Sequence, residues 1–286
     1  MKTLIINGAS GFLGNQILQF LKGKYNIITL KRNHYLLPPN KLAEKIEGCD
    51  YILNIAGAPI SQMWTKKART EIFNSRINTT QNLVSCFNYL NKKPLLFIST
   101  SGINIYADSI SHSEDSIAFG TGFLSDVCIA WEQEALLAAF ANIPVTIIRP
   151  GIVLSPEGGF LQQINRTVPY KFLVKFGRGI HNFPFIDLHD YLHALLFILE
   201  GNYSGIYNFV APNPVNYQTF YRIYLNKSKC WTVLPIPSFL LKLLPAHQGD
   251  FFMRSPLVVP QNLLSKGFRF LYPSIDDSIN ALKLPN

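Results

Sequence analysis

The stretch Gly8-Ala9-Ser10-Gly11-Phe12-Leu13-Gly14 constrains this chain more than any other, because of what flanks it. Before it stands the short apolar run Thr3-Leu4-Ile5-Ile6, which reads as a buried strand. After it Leu13, Ile17, Leu18 and Leu21 recur at helical spacing and make one apolar face. A strand, a glycine-rich turn and an amphipathic helix in that order open a βαβ unit. Glycines there permit a tight turn and close backbone approach to a ligand, and the helix N-terminus offers free N–H groups with a partial positive charge. The combination predicts a site for the pyrophosphate of a dinucleotide.

The alternation continues through the first half. Strands are expected at 27–30, 51–55, 95–99 and 145–149, with one helix drawing on Ile72, Leu83, Val84 and Phe87 and another over about 123–142. After Arg149-Pro150-Gly151 prolines, aromatics and loops dominate, and only a helix at 188–199 and a strand at 206–209 resume the pattern. The expected fold is α/β: a Rossmann-type doubly wound parallel sheet with a smaller C-terminal substrate lobe. Residues 1–150 would form the dinucleotide-binding domain, rejoined by 187–210, and 151–286 the substrate lobe.

Apolar residues make up 48% of the chain and charged residues 15%, which excludes disorder. The formal charge of +9 raises a nucleic-acid reading, but no basic run exceeds a pair such as Lys66-Lys67 or Lys92-Lys93, and a phosphorylated small ligand explains the excess as well. Cys49, Cys86, Cys128 and Cys230 show neither metal nor disulfide spacing, which points to a reducing cytoplasm. The N-terminal apolar run is too short for a signal peptide, and the stretch 233–244 is broken by Pro235, Pro237 and Lys242. A soluble, cytoplasmic protein with a small-molecule partner, and with neither nucleic acid nor membrane, is therefore expected. No Gly-x-Ser-x-Gly elbow or P-loop occurs, so serine hydrolysis and P-loop phosphoryl transfer are set aside.

An NAD-specific fold of this kind carries an acidic residue about 20 residues beyond the glycines to bind the ribose 2′-hydroxyl. Here Lys31-Arg32 follows the second strand instead, so NADP(H) is favoured and NAD(H) is the alternative. Asn54-Ile55-Ala56-Gly57 closes the third strand with small residues against which the adenine side of a dinucleotide could lie.

These residues resemble the extended short-chain dehydrogenase/reductases, the nucleotide-sugar epimerase and dehydratase superfamily. Trp64-Thr65, Ser75-Arg76, Ser99-Thr100-Ser101, Val127-Cys128 with Trp131-Glu132, Val153-Leu154, Gly158-Gly159, Ala211-Pro212 and Gly267-Phe268-Arg269-Phe270 follow, in order, the pattern of an atypical subgroup labelled sugar-nucleotide epimerases. The resemblance implies cofactor contacts from Gly8, Ser10, Gly11, Phe12, Leu13, Gly14, Lys31, Arg32, Asn54, Ala56, Gly57 and Pro150. Typical members carry Tyr-x-x-x-Lys, in which the tyrosine acts as acid or base; here Leu124 and Cys128 stand in those places. Arg76 takes the place of the supporting asparagine, and Ser101 matches the catalytic serine. Any chemistry needs a replacement proton donor or acceptor, for which Cys128, Tyr106 and Ser101 are candidates, with Cys128 acidified if Arg76 lies close.

Arg166, Lys171, Lys175, Arg178 and His181 interleave with Tyr170, Phe172, Phe176 and Phe183, which suits either a nucleotide diphosphate or a solvated loop over partly buried rings. Arg178 and Arg254 are the first choices for substrate contacts. His189 and His193 have the i, i+4 spacing of zinc ligands, but Asp190 stands where a metalloprotease needs Glu, so no metal is expected. The function implied is epimerase-type or oxidoreductase hydride transfer on a hydroxyl- or carbonyl-bearing, nucleotide-linked substrate. The rival is a non-catalytic NADP-binding redox sensor or protein partner. Superfamily members often pair, which leaves a homodimer open.

Overall fold

The computed structural model describes residues 1–176, 179–236, 254 and 256–283. Its strands are β1 (Thr3–Asn7), β2 (Asn26–Leu30), β3 (Tyr51–Asn54), β4 (Leu96–Thr100), β5 (Ser111–His112), β6 (Val145–Pro150), β7 (Ile152–Leu154), β8 (Phe172–Phe176), β9 (Phe185–Asp187), β10 (Gly205–Phe209), β11 (Thr232–Ile236) and β12 (Leu257–Val258). Six of these form one sheet in the order β10-β6-β4-β3-β1-β2, parallel at every pairing. The others pair as short ladders, β5 with β12, β7 with β9 and β8 with β11.

A parallel sheet needs crossover helices on both faces, and both faces of these strands are accordingly apolar. The helices are α1 (Phe12–Leu21), α2 (Pro39–Ile46), α3 (Lys66–Asn74), α4 (Ile77–Cys86), α5 (Phe123–Leu136), α6 (Gly159–Asn165), α7 (Leu188–Gly201) and α8 (Tyr217–Ser228); α1 and α7 cover one face and α2, α4 and α5 the other, while α6 and α8 pack among the C-terminal elements. Because side chains alternate along a strand, Leu4 and Ile6 pack with Ile17 and Leu21 of α1 and Leu195 and Ile198 of α7. Ile5 between them packs on the opposite face with Leu42 of α2, Leu83 of α4 and Ala135 of α5. A separate cluster of Leu161, Phe183, Phe220, Tyr224 and Ile279 forms the core of the C-terminal elements.

The chain leaves β1 for β2 on one side and reaches β3 on the other, so the winding reverses between β1 and β3. That switch point opens a crevice at the C-terminal ends of these two strands. Late in the chain, β10 pairs with β6 from Gly205 to Phe209, extending the same sheet.

Two expected helices differ in detail. The single helix expected around Ile72 to Phe87 is broken into α3 and α4 at Ser75-Arg76, because both residues turn to clasp the Ala58 loop. Ser75 Oγ accepts from the Ala58 N–H at 2.9 Å, and Arg76 Nη1 donates to the Ala58 carbonyl at 3.0 Å. The helix expected over 123–142 ends at Leu136 and tightens into a 3-10 turn, Leu137–Ala141, stopped by Asn142 in the left-handed region at φ 59°. Among the described residues no helix is long and apolar enough to cross a membrane.

Candidate functional site

The glycine loop is held against β3. Gly8 has φ +100°, and a Cβ there would lie 2.6 Å from the Ala56 backbone nitrogen. A Cβ on Gly14 would strike the Gly8 carbonyl, so this glycine lets α1 pack directly on the loop. Gly11 is different: a Cβ there would meet only the Gly8 carbonyl, at 3.6 Å, and otherwise open space. No side chain caps α1 and its first turn has no carboxylate, which leaves its N–H groups unclaimed at an exposed position. This cradle fits a pyrophosphate. Phe12 packs its ring on Gly158, where a Cβ would strike it, and Gly159 beside it has φ +65°.

The cradle opens into a cleft of about 1210 Å³ bounded by Ser10, Arg32, Tyr35, Ala56, Gly57 and the α3 residues Lys66, Lys67 and Thr70. Of the basic pair, Arg32 lines this wall. Lys31 instead starts the 3-10 turn Arg32–Leu36, its N–H donating to His34 Nδ1 at 3.3 Å. Tyr35 escapes sequence reasoning. It lines the same cleft, and burial raises the pKa of its hydroxyl against the lowering effects of Arg32 and of a hydrogen bond with the Gly8 backbone.

Asn54 does not face the cleft. It is fully buried: its Oδ1 accepts from Asn7 Nδ2 at 2.8 Å, and its Nδ2 donates to Thr80 Oγ1 at 2.8 Å and Ser99 Oγ at 3.4 Å. Trp131 Nε1 donates to the same Thr80 hydroxyl at 2.8 Å, so one buried network joins β1, β3, β4, α4 and α5. The expected cofactor contact is corrected accordingly: the Asn54 amide ties strand ends together. Pro150, the last residue of β6, pairs with Phe209 and does not line the cleft.

At the end of β4, Ser101 is buried and its hydroxyl has no regular hydrogen-bond partner, while the Cys128 thiol lies beside it. Arg76 lies over the Trp131 ring, 5.2 Å from its centroid, and its guanidinium closes on Gly57 so tightly that a Cβ there would stand 2.6 Å from it. Burial lowers the Arg76 pKa, but a guanidinium stays protonated in proteins. The expected acidification of Cys128 does not occur. Burial, reinforced by Glu132, pushes its thiol up to about 12, outweighing Ser101, Arg76 and Arg149. Leu124, one turn earlier, packs with Ala58, Trp64 and Ile72.

Tyr106 is likewise corrected. Its hydroxyl accepts from Arg149 Nη1 at 2.7 Å and donates to Asn208 Oδ1 at 2.8 Å, and its ring stacks on His112; it is fully buried. Arg149 completes the group with a bidentate pair to Glu132, Nε to Oε1 at 2.8 Å and Nη2 to Oε2 at 2.6 Å. The Trp131-Glu132 motif is thus a structural clamp between α5 and β6. Sequence reasoning missed its partner, because a lone arginine at a strand end carries no signal of burial.

Arg254 is also spent internally: it donates to the carbonyls of Thr121, Asn104 and Tyr106 and pairs with Asp108 at 3.4 Å, stapling loops rather than facing a pocket. Arg178 lies outside the described residues. Phe183 is core, stacked on Phe220 at 4.4 Å. His189 and His193 stack on each other at 4.1 Å, while Asp190 accepts from the Leu271 and Tyr272 N–H groups, docking the C-terminal Gly-Phe-x-Phe segment on α7. Among the described residues no three His, Cys, Asp or Glu side chains group as metal ligands.

The switch-point crevice, the uncapped helix and the glycine cradle define a doubly wound α/β protein of the dinucleotide-binding kind. More narrowly, the chain belongs to the NAD dependent epimerase/dehydratase family, whose profile matches residues 4–209. It is 29% identical over 306 residues to an epimerase family protein of Staphylococcus haemolyticus, covering 98% of this chain and 100% of that one. Among solved structures it is similar to a human epimerase family protein with NADPH, at TM-score 0.89 and 23% identity over 98% of each chain. It is also similar to a UDP-glucuronic acid 4-epimerase of Bacillus cereus with NAD, at TM-score 0.76 and 17% identity over 98% of this chain and 94% of that one. At these identities the solved structures establish the shared fold.

Proposed function

We propose that the protein binds NADP(H) across the ends of β1 and β3 and supports hydride transfer to or from a hydroxyl- or carbonyl-bearing small molecule, nucleotide-linked or comparably polar. The observation that carries this reading is the uncapped N-terminus of α1 above Gly8 and Gly11, opening into the large cleft. In it the first-turn N–H groups of α1 hold the pyrophosphate, and Arg32 pairs with the 2′-phosphate where an NAD-specific chain has a carboxylate. NAD(H) is the alternative occupant: the human relative is recorded with NADPH and the Bacillus cereus one with NAD. Residues 1–150 with 187–210 act as the cofactor part, and 151–286 as the substrate lobe.

The nicotinamide, when bound, supplies or takes up the hydride. The chain's own contribution is positional. Ser101, buried with its hydroxyl unclaimed, donates to the substrate oxygen. Arg76 keeps a fixed positive charge near Cys128, which stays a neutral thiol.

A second reading, a non-catalytic NADP-binding protein, is favoured by the packing of Leu124 against Trp64 and by the unreactive Cys128 thiol, since no acid or base replaces the absent tyrosine there. Transfer of deuterium from labelled NADPH into simple ketones, and from UDP-sugars deuterated at their carbinol carbons onto NADP, separates the two. Label transfer abolished in Ser101→Ala supports the enzyme. Tight NADPH binding with no transfer supports the second reading.

A further inference from the structure

Lys66 and Lys67 first read as scattered surface charge, and Arg69 follows them on the same helix. The structure turns this short run into the seam between two clefts. Lys66, Thr70 and Asn74 bound the large cofactor cleft and also a second one of about 440 Å³, whose other walls are Arg69, Phe73 and Phe123. The two clefts therefore share this wall of α3, one lying on the side of the glycine cradle and the other on the side of the start of α5.

Arg69 is the unusual member. It is half-buried, and its guanidinium carbon lies 4.5 Å from the centroid of the Phe123 ring. Among the described residues no carboxylate or carbonyl accepts from it, so its donors are held in place by stacking and left without an acceptor. The ring beneath it is itself fixed, edge-on to Trp64 at 5.2 Å, and the Trp64 indole N–H donates to the Ile60 carbonyl at 2.9 Å. Glu71 is the one carboxylate among the walls of the two clefts, against the cations Arg32, Lys66, Lys67 and Arg69. A planar fork on a rigid ring, with a flexible ammonium beside it, suits the oxygens of a phosphate group.

We propose that Arg69 and Lys66 form an oxyanion subsite that takes the phosphate or diphosphate group of the second ligand, the substrate, bound alongside the cofactor. The inference rests on the reading of the large cleft as the cofactor site. It assigns to α3 the role that Arg254 cannot fill, because the guanidinium of Arg254 is spent on carbonyls and Asp108.

The test is calorimetric titration of inorganic pyrophosphate into the full-length protein saturated with NADPH, with Arg69→Ala, Arg69→Lys and Lys66→Ala as variants. Binding to the wild type that weakens about ten-fold or more in Arg69→Ala, and less in Arg69→Lys, with NADPH affinity unchanged, is expected for loss of a charge-assisted bidentate contact. Pyrophosphate binding unaltered in Arg69→Ala overturns the proposal. So does a loss of NADPH but not NADH affinity in that variant, which would assign the group to the cofactor's own 2′-phosphate. If the wild type binds no NADPH, the cofactor reading fails separately. The subsite then stands or falls on whether pyrophosphate binding to the free protein still depends on Arg69. Thermal unfolding of each variant, expected unchanged, guards against a folding defect.

Discussion

In the loops that follow β1 and β2 the chain leaves backbone donors and an arginine facing open space, whereas most polar side chains buried at the ends of β3, β4 and β6 turn toward one another. The first region keeps uncapped N–H groups, a glycine whose added Cβ would touch the Gly8 carbonyl at ordinary contact distance, and an arginine on a cleft wall. The second buries Arg149, Glu132, Tyr106 and Asn208 in mutual hydrogen bonds and raises a buried thiol to about 12. Donors that face solvent are held by water and can exchange it for a ligand, while a buried network must be closed on itself to be stable. The difference separates cofactor binding, whose cradle and cleft are open, from acid-base chemistry, for which the proposed mechanism draws on the buried Ser101 hydroxyl.

The sharpest way to break the comparison is Glu132→Ala. It leaves the Arg149 guanidinium buried and without its carboxylate, and should cost about 3–5 kcal/mol of unfolding free energy in urea. A cost under about 1 kcal/mol would mean that water reaches the network and that the two regions do not differ. In the open region, Gly11→Ala should weaken NADPH binding about ten-fold or more, roughly 1.4 kcal/mol. Because its Cβ meets open space, unfolding stability should change by less than about 0.5 kcal/mol. Equal losses of both would show that the space at Gly11 belongs to the fold and not to a ligand.

Arg32→Ala tests the cleft wall through selectivity. The NADPH-to-NADH affinity ratio should fall about ten-fold with NADH binding held, as expected for a lost hydrogen bond to a charged group; an unchanged ratio removes Arg32 from cofactor choice. The smallest effects concern the thiols. Cys49, Cys86 and Cys128 are each pushed by burial to about 12 from an ordinary 9.0. Their folded pKa values lie above the unfolded ones, so the stability they contribute is complete below pH 9 and declines as pH rises toward 12. Native alkylation of Cys128 by iodoacetamide should stay slow at neutral pH, and rapid modification there would restore the thiol as a nucleophile.

The open region was largely legible in the sequence, because glycines between a strand and an amphipathic helix state a backbone geometry directly. The six strands of the main sheet were legible too, since a run such as Leu4 to Ile6, apolar on both faces, fits a parallel sheet between two helix layers, whereas the short paired strands β5, β7, β8, β9, β11 and β12 were not. The closed region was not. Asn54, Tyr106 and Arg254 look like ligand contacts by type and position, and only the fold reveals that their polar atoms are spent on Asn7 and Thr80, on Arg149 and Asn208, and on loop carbonyls. The break at Ser75-Arg76 was hidden similarly, since it is imposed by a loop 17 and 18 residues earlier in the chain. Lys66 was visible as charge but not as a wall, and Arg69 did not stand out at all, because its partner Phe123 lies on another helix.

The most direct measurement is calorimetric titration of the purified, cofactor-stripped protein with NADPH, NADP, NADH and NAD at fixed salt. The account predicts saturable one-to-one binding with the phosphorylated pair clearly preferred. Heat changes no larger than dilution for all four would contradict it, and the cradle at Gly8 to Gly14 would then be a structural turn alone.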